Sequence, residues 1–196
     1  MRVSDIPQVM HIDRLSFEVP WSEKSYRYEI LEAGHSSMLV LEWCREQAVP
    51  QWKRWFGLAP VAQRWIVGYG GMWHIQGDAH ISTIAVHPKM RGRGWGEVLL
   101  AAMAYRAVLL HCVELGLEVR VSNSKAQQLY QKYEFETVGI KPRYYRNNNE
   151  DAYDMQLRLD EDARLKRLEG RYTAVMNRHG VADQYTRAVR PSLRKD

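Results

Sequence analysis

One segment limits what this chain can fold into more than any other: ISTIAVHPKMRGRGWGEVLL, residues 81–100. A β-branched strand runs into a proline, then a loop of arginine and glycine, then directly into a helix. The glycines at 92, 94 and 96 let the backbone approach a ligand closely, and the free N–H groups at the helix start add to its dipole to favour an anion. Arg91 and Arg93 add positive charge, so phosphate is the natural guest. Two well-known phosphate loops are excluded. GxxxxGK[ST] needs a Lys-Ser or Lys-Thr pair that is absent here, and GxGxxG fails where Glu97 replaces the last glycine.

The flanking periodicities predict the rest of the fold. Ser4 or Asp5 can cap a helix carrying Ile6, Val9, Met10 and Leu15, with Pro7 in its first turn, and Ser22 can cap a second helix that Gly34 would end. Strands are predicted at Ser37–Leu41, Trp65–Trp73 and His80–Val86. A long helix is expected from Gly94 to Leu115, then a strand at Leu117–Val121 and a helix capped by Ser122 that reaches Tyr133. Strands at Glu136–Lys141 and Ala152–Leu159 flank the turn YRNNNE and should pair antiparallel. The predicted class is α/β (α+β), a mixed, mostly antiparallel sheet flanked by helices. Leu165, Leu168, Tyr172, Val175 and Met176 step by three and four, which gives an extra C-terminal helix ending near Gly180, followed by a basic tail. The expected division is a domain over 1–159 and an extension over 160–196.

Composition narrows the function classes. Across 196 residues, 45% are hydrophobic and 26% charged, which suits a folded globular chain and excludes a disordered one. No run approaches the roughly 20 apolar residues of a spanning helix, and the acidic start MRVSDIPQVMHID lacks a signal peptide's apolar run. A cytoplasmic protein is expected. Cys44 and Cys112 read as two buried small hydrophobes, and none of the seven histidines has metal-ligand spacing, so no metal is expected. The net charge of +5 suits a polyanion, and a phosphate-bearing cofactor satisfies it as well as nucleic acid would.

The hexapeptide Arg91, Gly92, Arg93, Gly94, Trp95, Gly96 matches [QR]xxGx[GA], and between a strand and a long helix it resembles the GNAT superfamily of N-acetyltransferases. SFEVPWS at 16–22, IAVHP at 84–88, LEVRVSNSKAQQLYQKYEF at 117–135 and RYYRNNNEDAYDM at 143–155 resemble its RimI-type branch, the ribosomal-protein-alanine N-acetyltransferases. Together the resemblance spans nearly Met1 to Leu159. It implies acetyl-CoA as cofactor, with its pyrophosphate on the amides of Arg91 to Gly96 and its pantetheine arm beside Ile84, Ala85 and Val86. There the acetyl carbonyl would point at a strand amide, a preorganised donor of the kind that stabilises an oxyanion. Glu118 matches the general base and Tyr130 the acid that protonates the departing thiolate. Asn123 matches a pantetheine contact. Trp21, Tyr144 and Tyr145 resemble loops that clamp a peptide's first residues.

Each residue also has a plainer reading: an exposed strand glutamate, a core tyrosine, aromatic plugs. The acceptor implied by the resemblance is a protein N-terminus such as that of a ribosomal protein, with a small-molecule amine, a lysine side chain, or a non-catalytic RNA- or ribosome-binding role as alternatives. Charge favours the N-terminus. Its reference pKa of about 7.7–8.0 lies well below the lysine value of about 10.4, so freeing a lysine near pH 7 costs roughly 3 kcal/mol more. The family's first strand is short or missing here, which would expose one sheet edge. An insertion at 43–64, with Trp52, Trp55 and Phe56 among Lys53 and Arg54, is expected to pack on the sheet or form a binding patch.

Overall fold

The computed structural model describes residues 1–46 and 62–186. Six strands form one sheet: β1 (Ser36–Glu46), β2 (Ala62–Ile75), β3 (Asp78–Val86), β4 (Glu114–Arg120), β5 (Glu136–Tyr145) and β6 (Glu150–Arg158), in the order β1-β2-β3-β4-β6-β5. Every neighbouring pair is antiparallel except β3 with β4. The helices are α1 (Ile6–Ser16), α2 (Glu23–Leu31), α3 (Trp95–Leu109), α4 (Ser124–Lys132) and α5 (Asp162–His179). No described helix is long and apolar enough to cross a membrane.

Period-two alternation divides the strand side chains between two cores. Against α1 and α2 lie Met38, Ile66, Tyr69 and Ala85. On the opposite face α3 is buried along nearly its whole length, through Leu99, Leu100 and Met103, against Leu115, Leu117, Met155 and Leu157. No strand precedes α1, as the short or missing first strand led one to expect. The Met1 ammonium instead donates to the carbonyl of Met38 on edge strand β1 at 3.0 Å.

Several boundaries differ from the sequence reading. The helix expected to reach Leu115 stops at Leu109, because His111 adopts φ 57 and the amides of His111 and Cys112 turn back onto the carbonyls of Val108 and Ala107. This 6→1 and 5→2 pattern usually recruits glycine, so a histidine there left no signal. Asn123, not Ser122, caps α4: its Oδ1 accepts from the Ala126 amide at 3.2 Å. The interval 43–64 is not all insertion, since β1 extends to Glu46 and β2 begins at Ala62. Trp52, Trp55 and Phe56 lie outside the described residues. Of the two cysteines expected to be buried, Cys112 is and Cys44 is exposed, at the solvent-facing end of the edge strand. Ser22 caps α2 as expected, and α5 ends at Gly180, which has φ 60.

Candidate active site

β3 and β4 run parallel for only three residue pairs, Asp78 with Glu114, Ala79 with Leu115 and His80 with Gly116, and then diverge. From Ile81 onward β3 pairs only with β2, and from Leu117 onward β4 pairs only with β6. Alternate N–H and C=O groups on the two facing edges are therefore without strand partners, and an extended molecule with amide groups of its own can dock between them. Ile84, Ala85 and Val86 lie on this open stretch of β3. At its start the register with β2 shifts, leaving Ser82 as the extra residue of a bulge.

At the far end of β3 the chain passes through a 3-10 turn, Pro88–Met90, and the glycine loop into α3. Gly92 and Gly94 have φ 74 and 83, a region costly for any residue with a Cβ. Gly94 is the N-cap of α3 and has no side chain to accept from the first amides of the helix, which therefore remain available to an anion. The first turn carries an acid, Glu97, but Lys132 at 2.7 Å and the Tyr133 hydroxyl at 3.3 Å hold its carboxylate on α4's side. Arg91 also makes contacts within the protein. Its Nε donates to the Val86 carbonyl at 3.0 Å and its Nη2 to Ser16 at 2.9 Å, so its guanidinium braces the loop against β3 and α1. Arg93 is exposed. Trp95 and Gly96 open the helix, with Gly96 close to Val86 and Leu129.

Where the strands begin to part, on the face of the sheet not covered by α3, a cavity of about 400 Å³ contains a charged cluster. Alternation turns Leu117 and Val119 into the core, leaving Glu118 on this face. Its Oε2 lies 3.0 Å from His80 Nε2 and its Oε1 2.5 Å from Lys141 Nζ, which also reaches Asp154 at 3.1 Å. The hydrogen bond from His80 and that from Lys141, outweighing burial, hold the Glu118 carboxyl at about 2. Glu118 is thus a fixed anion at any physiological pH. The imidazole of His80 is stacked on Trp73 at 6.1 Å, and Trp73 Nε1 donates to the buried Glu29 of α2 at 3.0 Å. Gly116 makes room for it: a Cβ there would lie 3.3 Å from His80 Nδ1.

The other expected residues gather less uniformly. Tyr130 on α4 is 6% exposed, and burial raises its phenol far above the usual range, with Tyr145 contributing second. Tyr145 lies beneath the Arg120 guanidinium, 3.8 Å from its ring centre, and contacts Tyr144 edge-on at 5.2 Å. Tyr144 stays exposed, and the Glu118 charge adds to burial in raising its phenol. Trp21 packs its ring on Tyr26 at 5.4 Å and its amide on Asp13 at 2.7 Å, so it anchors the α1–α2 loop. Asn147 of the β5–β6 turn donates to Glu18 of that loop, which ties together the two segments expected to cover a peptide. His80, Lys141, Asp154 and Trp73 were not anticipated. A histidine in the β-branched strand before the glycine loop was the available signal for His80.

The chain belongs to the acetyltransferase (GNAT) family, whose model matches residues 6–135. It is therefore an acetyltransferase by family. A Bacillus subtilis (strain 168) protein described as a putative [ribosomal protein bS18]-alanine N-acetyltransferase is 35% identical over 166 residues, covering 82% of this chain and 94% of its own length. The fold is shared with Ard1 from Thermoplasma volcanium (TM-score 0.65, 22% identity, 82% of this chain and 95% of that one). It is shared too with the ribosomal-protein-S18-alanine N-acetyltransferase from Escherichia coli (TM-score 0.61, 24% identity, 82% and 92%).

Proposed function

We propose that this protein transfers acetyl from acetyl-CoA to the α-amine of a protein N-terminus, in the manner of the ribosomal-protein-alanine enzymes to which it is similar, and that it works in the cytoplasm. The observation that carries this reading is the anionic Glu118 paired with His80 at the mouth of the β3–β4 gap, in line with the glycine loop at the other end. The cofactor fits the residues present: the gap-facing edge of Ile84 to Val86, apart from the Val86 carbonyl that Arg91 holds, for an amide-bearing arm, and the amides from Arg91 to Gly96 for its diphosphate. When bound it supplies an activated thioester.

The chain's own groups do the rest. An incoming ammonium is drawn to the Glu118 carboxylate and must lose a proton before it can attack. A carboxyl held near 2 is a poor sole acceptor, so the proton goes to the hydrogen-bonded Glu118–His80 pair as a unit. Tyr130 keeps its proton at neutral pH and holds it at Oη for the departing sulfur. The bond between Asn147 and Glu18 holds together the two loops that resemble a clamp for a peptide's first residues.

Mass spectrometry tests the reading. Peptides with a free N-terminal alanine and no lysine should gain 42 Da in the presence of acetyl-CoA, whereas N-terminally blocked lysine peptides and spermidine should not. Acetylation of spermidine or lysine alone would replace the N-terminal reading with one of the alternatives. Tyr130→Phe should lower turnover at least about tenfold with cofactor affinity intact, as expected for loss of a general acid.

A further inference from the structure

We propose that His179, at the end of the C-terminal helix, is a direct donor to the cofactor diphosphate at the glycine loop. This rests on the reading of Arg91 to Gly96 as the diphosphate site, but it concerns a residue well beyond the family-matching segment, which ends at 135.

α5 packs antiparallel along α3. Tyr172 stacks on Tyr105 with ring centres 4.4 Å apart, Arg178 lies 3.9 Å from Glu97, and His179 meets Trp95 at 4.9 Å. The register therefore brings the last turn of α5 beside the first turn of α3. Gly180, in the left-handed region, stops α5 at this point, and the amides of Gly180 and Val181 close onto Asn177 and Met176. The imidazole is set against the loop backbone: a Cβ on Gly94 would lie 2.7 Å from His179 Nε2 and 2.8 Å from Cε1. Gly94 is thus required twice, by its φ of 83 and by this ring.

Neither imidazole nitrogen of His179 has a hydrogen-bond partner among the described residues, although the ring is half-buried and fixed by Trp95. A donor so placed, beside the open amides of α3, adds a side-chain contact where the loop itself supplies only backbone. Electrostatics points the same way. The C-terminus of α5 brings partial negative charge toward an anion site, and basic residues in its last turn, Arg178 and His179, oppose it.

Calorimetry with coenzyme A on the full chain tests the assignment without relying on turnover. His179→Ala and His179→Phe, the second keeping a ring over Gly94 and Trp95, should each weaken binding about tenfold, in the range of one charge-assisted hydrogen bond. His179→Gln, which keeps a side-chain N–H donor, should stay within about threefold of the parent. Thermal melts identify any variant that fails to fold, and the remaining ones decide. The proposal is overturned if Ala or Phe binds like the parent, if either binds more tightly, or if Gln loses as much as Ala. If the parent itself binds no coenzyme A, the diphosphate reading fails, and this proposal fails with it.

Discussion

The two ends of the β3–β4 gap are built on different principles. The glycine-loop end is main chain: it needs two glycines at positive φ, a helix N-terminus and an arginine that braces the turn, all within six consecutive residues. The amine end is side chain: His80, Glu118, Lys141 and Asp154 arrive from four strands and meet only because the sheet order places β3, β4, β6 and β5 side by side. On the proposed function, cofactor binding is thus a local property of the sequence and acceptor activation a property of the fold.

If the ends are separable, removing the charge at the amine end should spare the cofactor. Glu118→Gln is expected to lower kcat/KM by at least about a hundredfold, within the usual range for a general base, while the coenzyme A Kd measured by calorimetry stays within twofold. An equal loss of cofactor affinity would mean that the gap responds as one unit.

The titration of the pair sharpens the contrast. Glu118 is depressed from 4.5 to about 2, so its contribution to stability is complete above pH 4.5 and disappears only as the pH falls through 2. It cannot produce a break in activity near neutrality. His80→Gln keeps a hydrogen-bond donor toward Glu118 but removes the basic nitrogen, and it should lower kcat/KM at least about tenfold if the pair takes the proton together. An unchanged kcat/KM would return the proton to another group.

The same contrast explains what the sequence revealed. The loop, its flanking strand and helix, and the hairpin at YRNNNE were legible because each is signalled within a dozen residues. Glu118 was placed on the correct face by alternation against Val119. Its partners were not legible, since no local pattern links residue 80 to residues 118 and 141. The helix end held by His111 at positive φ was equally silent, because the glycine that normally marks it is absent. The contacts of Arg91 with Val86 and Ser16 were silent for a related reason, since Ser16 lies 75 residues away in sequence.

At the loop end the two positive-φ glycines should separate in stability. A Cβ at Gly92 meets nothing within 4 Å, while one at Gly94 collides with His179. Gly92→Ala should therefore cost about 1–2 kcal/mol in urea melts, the penalty for a left-handed L-residue, and Gly94→Ala measurably more. Equal costs would mean that the α5 terminus yields freely.

The smallest expected effect tests whether the amine end is positioned by side chains alone or also by the layer beneath. Trp73 reaches both: its ring stacks on His80, and its Nε1 binds Glu29 on α2. Trp73→Phe keeps an aromatic surface but leaves the buried Glu29 carboxylate short of a donor, a loss of about 1–3 kcal/mol. Because the imidazole would still be held by Glu118 and by the space at Gly116, kcat/KM should fall only about threefold, under 1 kcal/mol. A drop in melting temperature with kcat/KM unmoved would make Trp73 a core residue only, and would leave β-sheet register as the sole device that aims His80 at Glu118.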